Sequence, residues 1–514
     1  PHVLGRICTH PCETACRRGA IDTPISICAI KRSAADFASQ KFPPKPAGIE
    51  KTGKRIAIIG SGPSGLAAAH DLAIRGHTVV IYEALPVAGG MLSVGIPPYR
   101  LPREKIEDTV TWIKSLGVEL HLNTAIDSPK SFDGLLRAND AVYIAAGAHK
   151  SQLLEIPGEE LPGVLHGVAF MRDTNLGTLT TVPEKVVVIG GGFTAIDCAR
   201  SSLRLGAREV SIVYRRTLEE MPAGEIEVRM AEEEGIKMHY LTSPVRILAG
   251  RDQKVAQIEC LKNTLGEPDN KGRRRPIPVN GSNFTIPAGM IIAAIGQSPH
   301  LPFLSHTLGI EVNRLGMPLV NQENFMTTKP GVFAGGDCIT GPRNVIEVIA
   351  DGRKAARSIH AFLTGQEKNG YRFFYKEQAP SGRATDYEII PRQHADVCVT
   401  MEKLCLNTEA EPGLSRENAL KEASRCLLCH YNIFIDETCV LCGGCIDVCP
   451  NNCISMASKD QIEVANASSG DAVAFGDWDA AMVLNEEKCI RCGLCVKRCP
   501  VGAITMKRFS YTMD

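Results

Sequence analysis

The 514-residue sequence has no net charge, because lysine plus arginine and aspartate plus glutamate both total 57. That balance argues against general nucleic-acid or polyanion binding. No apolar run approaches the ~18 residues a membrane span needs. No signal-peptide pattern opens the chain, so a cytoplasmic location is expected. No serine–histidine constellation or carboxylate pair points to hydrolysis. The first residue is Pro1 rather than methionine, which leaves room for sequence before it. Cysteine, by contrast, is abundant: twenty residues, most of them bunched at the two ends. In a short secreted chain these would suggest disulfides. Beside C-x-x-C repeats and nucleotide-type glycine turns they indicate metal ligation in a reducing compartment. The length allows two to four domains with ample cores.

The stretch Ile56–Gly65, IAIIGSGPSG, reads as a buried strand running into a glycine turn and then a helix. Gly60, Gly62 and Gly65 stand at G-x-G-x-x-G spacing. The first permits a tight turn, the second lets backbone approach a pyrophosphate, and the third lets helix pack close to strand. The helix N-terminus that follows offers free N–H groups to phosphates. Glu83 closes the next strand about 20 residues on, where an acid binds ribose hydroxyls. The loop GGMLSVGIPPYRLP adds Gly89, Gly90 and Gly95, either approaching a flavin or forming an ordinary loop, before a helix near Arg103.

A second glycine turn follows in VVVIGGGFTAIDC, with Gly190, Gly191 and Gly192. Its next strand, VSIVYRRT, ends in Arg215-Arg216 where the first domain has Glu83. An acid would repel a 2′-phosphate and guanidinium groups bind it, so this site is expected to favour NADPH, unless the pair is merely solvated. No redox-active C-x-x-C lies in this domain. Residues 262–285 look like an exposed hairpin whose Arg273–Arg275 form a solvated basic turn. The buried strand GMIIAAIGQ and the segment GVFAGGDC then return to the first domain, with Asp337 accepting from its dinucleotide. The architecture expected is α/β, with two Rossmann-like domains, the second inserted in the first. The boundaries expected are 1–50 for a helical iron–sulfur segment, 51–182 and 288–365 for the first nucleotide-binding domain (the FAD domain of the resemblance given below), 183–287 for the NAD(P)H domain, 366–425 for a linker and 426–514 for an α+β ferredoxin-like domain.

At the N-terminus Cys8, Cys12, Cys16 and Cys28 are spaced x3, x3, x11. Three thiolates a helical turn apart with a fourth from a later helix suit a 4Fe–4S cluster, with zinc or free thiols as the alternative. At the C-terminus, Cys439, Cys442, Cys445 and Cys449-Pro form one bacterial ferredoxin motif, and Cys489, Cys492, Cys495 and Cys499-Pro a second. The fourth cysteine of each motif is expected to cross over to the other cluster. Cys198, Cys260 and Cys338 read as small core residues. Cys398, Cys405, Cys426 and Cys429, with His430 spare, make a possible further cluster or zinc site. Cys453 follows Cys449 too closely to serve the same cube easily.

From Cys8 to about Ser358 the chain resembles the glutamate synthase small-subunit family of FAD- and NADPH-binding iron–sulfur flavoproteins. That family includes half of dihydropyrimidine dehydrogenase and the large subunit of bifurcating ferredoxin–NADP transhydrogenase. The residues carrying the resemblance are CTHPCETAC, GSGPSG, GGMLSVGIPPYRLP, GGGFTA, YRRT with EEMPA, LGEPDNKGRRRP and AGGD. Phe193 departs from the family's usual asparagine. The usual upstream R-C-x-x-C segment is absent, but Arg425-Cys426-x-x-Cys429 resembles it. The resemblance implies FAD on Gly60, Gly62, Pro63, Ser64, Gly65, Glu83, Gly90, Met91, Gly95, Ile96, Gly147, Gly336, Asp337 and Val345. It implies NADPH on Gly190, Gly191, Gly192, Phe193, Thr194, Arg215, Arg216 and Gly296. The function expected is hydride transfer between NADPH and FAD and single-electron transfer through three 4Fe–4S clusters, with a fourth cluster or zinc as an option. Electrons would pass to or from a ferredoxin or another redox subunit in an anaerobic complex, with a bifurcating transhydrogenase as one option. The alternatives are a glutamate synthase small subunit with an added ferredoxin domain, or a non-catalytic wiring subunit.

Overall fold

Short strands, the central one of each set rich in valine or isoleucine and running into a glycine, build two parallel five-stranded sheets with the same plan. The first has the order Val332–Ala334, Ala141–Ile144, Arg55–Ile59, Thr78–Tyr82, Glu119–His121. The second has the order Val164–His166, Met290–Ala293, Lys185–Ile189, Glu209–Val213, Lys237–His239. Both central strands are buried, as near-continuous apolar runs in parallel sheets must be when helices cover both faces. In this computed structural model the described residues are 1–39, 42–269, 272–304, 309–365, 371–377, 390–395, 405–462 and 479–513.

The topology corrects two expected boundaries. The strand Met290–Ala293 does not return to the first domain; it lies inside the second sheet, between Val164–His166 and Lys185–Ile189. The second domain therefore starts before residue 183 and continues past residue 287. The chain crosses between the domains through a two-stranded antiparallel ribbon, Lys150–Ser151 against Gln297–Ser298. An antiparallel sheet of Thr242–Ala249, Val255–Pro268, Arg274–Pro278 and Phe284–Pro287 is attached to the second domain.

The residues divide into two units. One comprises Pro1–Thr9, Ala38–Lys368 and Asp396–Pro412 and holds both parallel sheets; the other comprises His10–Phe37, Asn369–Ala395 and Gly413–Asp514. In the second unit, Tyr371–Glu377, Ile504–Met513 and Tyr431–Ile435 form an antiparallel sheet. Ile454–Ser458 pairs with Ala480–Leu484. Part of the supposed linker is thus a strand of the ferredoxin-like module. Ile433, Ile454, Ile504 and Met506 make that module's small core. The helix Arg416–Ser424 packs against Ile27–Asp36 of the N-terminal segment.

Candidate functional site

Gly60 has φ +100°, and a Cβ there would sit 2.5 Å from the Ala145 carbonyl oxygen. A Cβ on Gly65 would fall 2.1 Å from the Gly60 carbonyl oxygen, so only glycine lets this helix approach its strand. Gly62, the N-cap of Pro63–Ala73, differs: an added Cβ would meet nothing within 4 Å. The second turn repeats this division of labour. A Cβ on Gly190 would lie 2.3 Å from the Ala294 carbonyl oxygen, whereas Gly192, N-cap of Phe193–Arg204, faces open space. A Cβ on Gly191 would fall 2.4 Å from the Tyr214 ring. Each domain therefore offers a helix N-terminus beside a glycine with an open face, a cradle that fits a dinucleotide pyrophosphate.

Glu83 is only 5 % exposed and is tied to its own glycine turn. Its Oε2 accepts from Ser61 N–H at 2.8 Å and from Ser61 Oγ at 2.6 Å, and its Oε1 accepts from Leu85 N–H at 2.9 Å. A carboxylate has about four acceptor positions, which leaves room for roughly one more donor. The loop after it lies backbone to backbone on the first turn: a Cβ on Gly90 would be 2.8 Å from Gly62 Cα. Arg103 fastens the short helix Met91–Val94, Gly95 and Ile96 by donating to Leu92 O at 2.9 Å and Ile96 O at 2.8 Å. Gly147, at φ +70°, follows strand Ala141–Ile144.

At the end of strand Val332–Ala334, Gly336 N–H donates to the buried Asp351 at 3.2 Å, and Arg343 also pairs with Asp351. Asp337 accepts from Arg343 N–H at 3.0 Å, yet burial pushes its carboxyl up to about 6 against that bond. Val345 opens the helix Val345–Thr364, capped by Asn344 and Glu347. Gly352 of that helix crosses Ser64 so closely that a Cβ would be 2.2 Å from the Ser64 carbonyl oxygen. The buried Tyr143 hydroxyl and Ser64 Oγ are 2.7 Å apart. Tyr143, Arg343, Asp351 and Arg103 escaped sequence reasoning. Of these only Tyr143 carries a signal, as a polar residue embedded in the apolar run AVYIAAG.

The two arginines of the second domain separate. Arg216 is 5 % exposed and spent on structure: Nε donates to Arg274 O at 2.6 Å, and NH2 is 3.6 Å from Asp269 Oδ2. Arg215 is exposed; its carbonyl accepts from Asn263 Nδ2 at 3.1 Å, and its guanidinium makes no hydrogen bond or ion pair among the described residues. The basic hairpin is not simply solvated either, because Arg274 is paired with Glu219 and Glu220 at 2.7 and 2.5 Å. Phe193 keeps 36 % exposure beside Thr194 at the helix start. Gly296 lies in the crossover ribbon, where a Cβ would be 3.0 Å from Gln152 Oε1.

In the second unit the ferredoxin cysteines group across the two motifs. Cys449 lines one cavity with Cys489, Cys492 and Cys495. Cys439, Cys442 and Cys499 are the thiols that bear on Cys445. Gly443 and Gly493, at φ +75° and +74°, cap the short helices that carry Cys445 and Cys495. Burial pushes the Cys495 thiol up to about 12, so a cationic metal centre would be needed to hold it ionised. Cys453 shares the first cavity, with its Sγ 3.1 Å from Cys449 Sγ. Among the described residues no three His, Cys, Asp or Glu side chains converge as a single-ion site.

Cys426 and Cys429 are docked on the N-terminal segment. Fully buried Arg18 and Arg425 bracket Asp22: Arg18 Nε donates to it at 2.6 Å and Arg425 NH2 at 3.1 Å. Asp22 is held down to about 2, chiefly by Arg18. Glu422 accepts from Ser26 N–H at 2.8 Å and Gln393 N–H at 2.7 Å. Cys16 and Cys426 both act on the Cys429 thiol, and Leu427 packs on Ile490 and Cys492. Cys12, Cys16 and Cys28 lie in this unit, whereas Cys8 and Cys405 belong to the other. Cys398 is outside the described residues. Cys198, Cys260 and Cys338 are buried, as expected of core residues.

Two dinucleotide-type domains in tandem with a paired-motif ferredoxin module define a flavin- and nicotinamide-type oxidoreductase with iron–sulfur centres. Residues 54–353 match the model of the pyridine nucleotide-disulphide oxidoreductase family, and the chain belongs to that family; residues 438–503 match that of the 4Fe-4S dicluster domain. The chain is 42 % identical to the NADP(+)-dependent formate dehydrogenase subunit beta of Moorella thermoacetica, over 83 % of this chain and 65 % of that protein. It is 38 % identical to the NADPH-Fe(3+) oxidoreductase subunit beta of Geobacter sulfurreducens, over 84 % and 69 % respectively. It is 35 % identical to the glutamate synthase [NADPH] small chain of Escherichia coli, over 71 % and 80 %. This chain thus spans about two thirds of the length of the first two relatives. Among solved structures, a variant of FprA from Mycobacterium tuberculosis superimposes with a TM-score of 0.51 at 22 % identity, over 61 % of this chain and 85 % of that one, which is a likeness of fold. No helix among the described residues is long and apolar enough to cross a membrane.

Proposed function

We propose that the chain is the NADP(H)-linked flavin and iron–sulfur subunit of a multisubunit redox complex, exchanging hydride with NADPH and single electrons with a partner protein. The observation that carries this reading is the repeated turn. Gly62 and Gly192 present open faces at two helix N-termini, and the guanidinium of Arg215, which has no ion pair among the described residues, follows the second domain's strand Glu209–Val213. The relatives support it, since their names join NADP(H) oxidoreduction to a beta subunit.

FAD would lie on the Gly60, Gly62 and Gly65 turn, with Pro63 and Ser64 at the helix start, Glu83 on the ribose side, and Gly90 to Ile96, Gly147, Gly336, Asp337 and Val345 along it. NADPH would lie on Gly190 to Thr194 and Arg215, with Gly296 near the crossover. When bound, the flavin supplies the conversion between a hydride and single electrons. The chain's own work is placement. Glu83 braces the turn through Ser61, Arg103 holds the Leu92 and Ile96 carbonyls, and Asp351 fixes Gly336. No side chain is required as acid or base.

The clusters we propose are three 4Fe–4S centres: one on Cys8, Cys12, Cys16 and Cys28, one on Cys439, Cys442, Cys445 and Cys499, and one on Cys489, Cys492, Cys495 and Cys449. Cys426 and Cys429 are available to a fourth. The acidic balance from Cys426 onward, eleven acids to seven bases, suits a basic redox partner. Anaerobic titration of the purified chain with NADPH tests the reading. Bleaching of a flavin spectrum, followed by cluster signals and about twelve to sixteen irons per chain, is the expected result. A bound flavin that NADPH leaves oxidised would overturn it.

A further inference from the structure

The first domain's loop reaches into the second domain through charged side chains that neither glycine turn requires. Arg100 of that loop donates from NH1 and NH2 to Glu227 Oε1 at 2.7 and 2.9 Å. Its Nε lies 3.2 Å from Asp197 Oδ1. Asp197 sits on Phe193–Arg204, the helix whose N-terminus carries the second glycine turn. The Arg100 guanidinium also lies 5.9 Å from the centre of the Phe193 ring, the first residue of that helix. Tyr99, 1 % exposed, is covered by Arg204 at 3.9 Å and Arg200 at 5.1 Å from its ring centre. Both arginines are held in turn by Glu234, through bonds of 2.7 and 2.8 Å. On the other side of the loop, Asn175 of the second domain donates to Val94 O at 2.9 Å and Ile96 O at 3.2 Å.

These contacts span a junction whose only covalent links are the strands of the crossover ribbon. Buried ion pairs contribute little net stability compared with apolar packing, because desolvation offsets their attraction. What they supply is orientation: a charged pair is satisfied at one geometry, whereas an apolar face tolerates sliding.

We propose that Arg100, hydrogen-bonded to Glu227 and ion-paired with Asp197, is a positioning residue that sets the second nucleotide domain against the Gly90–Ile96 loop, and so sets the approach of the nicotinamide to the flavin. The proposal rests on the assignment of FAD to the first turn and NADPH to the second. Arg100 acts through the helix Phe193–Arg204 and touches no reacting atom. A misplacement of about 1 Å at a reacting centre costs on the order of a hundredfold in rate. Arg100→Met is therefore expected to slow anaerobic flavin reduction at saturating NADPH by roughly 10- to 100-fold. Flavin content and NADPH Kd stay unchanged, and Arg100→Lys restores part of the rate.

Two readouts do not depend on turnover. The charge-transfer absorbance between NADP+ and the reduced flavin is expected to weaken in Arg100→Met. Amide hydrogen exchange in the flavin-free protein is expected to quicken in residues 91–103 and 193–204 and nowhere else. If Arg100→Met does not fold, Asn175→Ala, which removes the milder contact, is expected to show the same pattern at smaller size. Wild-type reduction rate and charge-transfer absorbance in a folded variant, or uniform acceleration of exchange, would overturn the proposal. A wild-type protein whose flavin NADPH fails to bleach would instead overturn the function proposed above, and the exchange data would still decide whether the joint exists.

Discussion

Replacing Arg215 tests the nucleotide preference at the point where the structure divides two adjacent arginines. Arg215 is exposed and makes no ion pair among the described residues, so its guanidinium is free for a 2′-phosphate. A hydrogen bond to a charged group contributes a net ~1.5–3 kcal/mol. With tenfold for every ~1.4 kcal/mol, Arg215→Ala is expected to weaken NADPH by roughly 10- to 150-fold. Because the side chain is exposed and screened by salt, the lower end of that range is expected near physiological ionic strength. NADH, lacking the phosphate, is expected to lose nothing, and Arg215→Glu to favour it. Arg216→Ala behaves differently. It removes the donor to the Arg274 carbonyl and one of the cations beside Asp269, costing ~1–3 kcal/mol of stability with a smaller change in preference. The assay is anaerobic stopped-flow bleaching of the flavin against NADPH and NADH concentration, in parallel with thermal melts. Equal losses for both nucleotides in Arg215→Ala, or a preference governed by Arg216 alone, would refute the reasoning.

The crossover of the ferredoxin cysteines predicts a non-additive result. Cys449→Ser is expected to remove about four irons per chain, and combining it with Cys489→Ser is expected to remove the same four, because both thiols line one cavity. Loss of eight irons in the double variant would show that each motif closes its own site. A second prediction concerns His77, 3 % exposed, with its ring bonded to Thr52 at 2.8 Å and His360 at 2.9 Å. Burial, helped by His360 and Arg75, holds it down to about 4, so the folded chain keeps it neutral where the unfolded chain, with its ordinary value of 6.5, takes up a proton. Its stability is complete above pH 6.5 and falls as pH drops toward 4, by about 3 kcal/mol at most. Melting temperatures followed at the flavin absorbance from pH 7 to 5 are expected to fall less steeply in His77→Gln, and parallel slopes would exclude His77 as the cause.

The glycine turns, the two ferredoxin motifs and the R-C-x-x-C segment were legible in the chain because each demands particular residues over a short span. Gly60 and Gly65 are imposed by clashes of a few ångströms with atoms of neighbouring segments, and the C-x-x-C turns by the need to aim successive thiols at one centre. Period and spacing therefore determined the fold class, the tandem nucleotide domains and the sets of thiols in the ferredoxin module. Long-range pairing is not encoded that way. A short apolar strand such as Met290–Ala293 fits either sheet equally well, and only tertiary packing put it between Val164–His166 and Lys185–Ile189. The same holds for charge. Arg215 and Arg216 are identical in composition, yet one lies at the open strand end and the other is buried under Arg274. Arg100 and Asp197, nearly a hundred positions apart, carry no local sign that they meet. Local stereochemistry is written in neighbouring residues. The partner a buried charge finds depends on which surfaces the whole fold brings together.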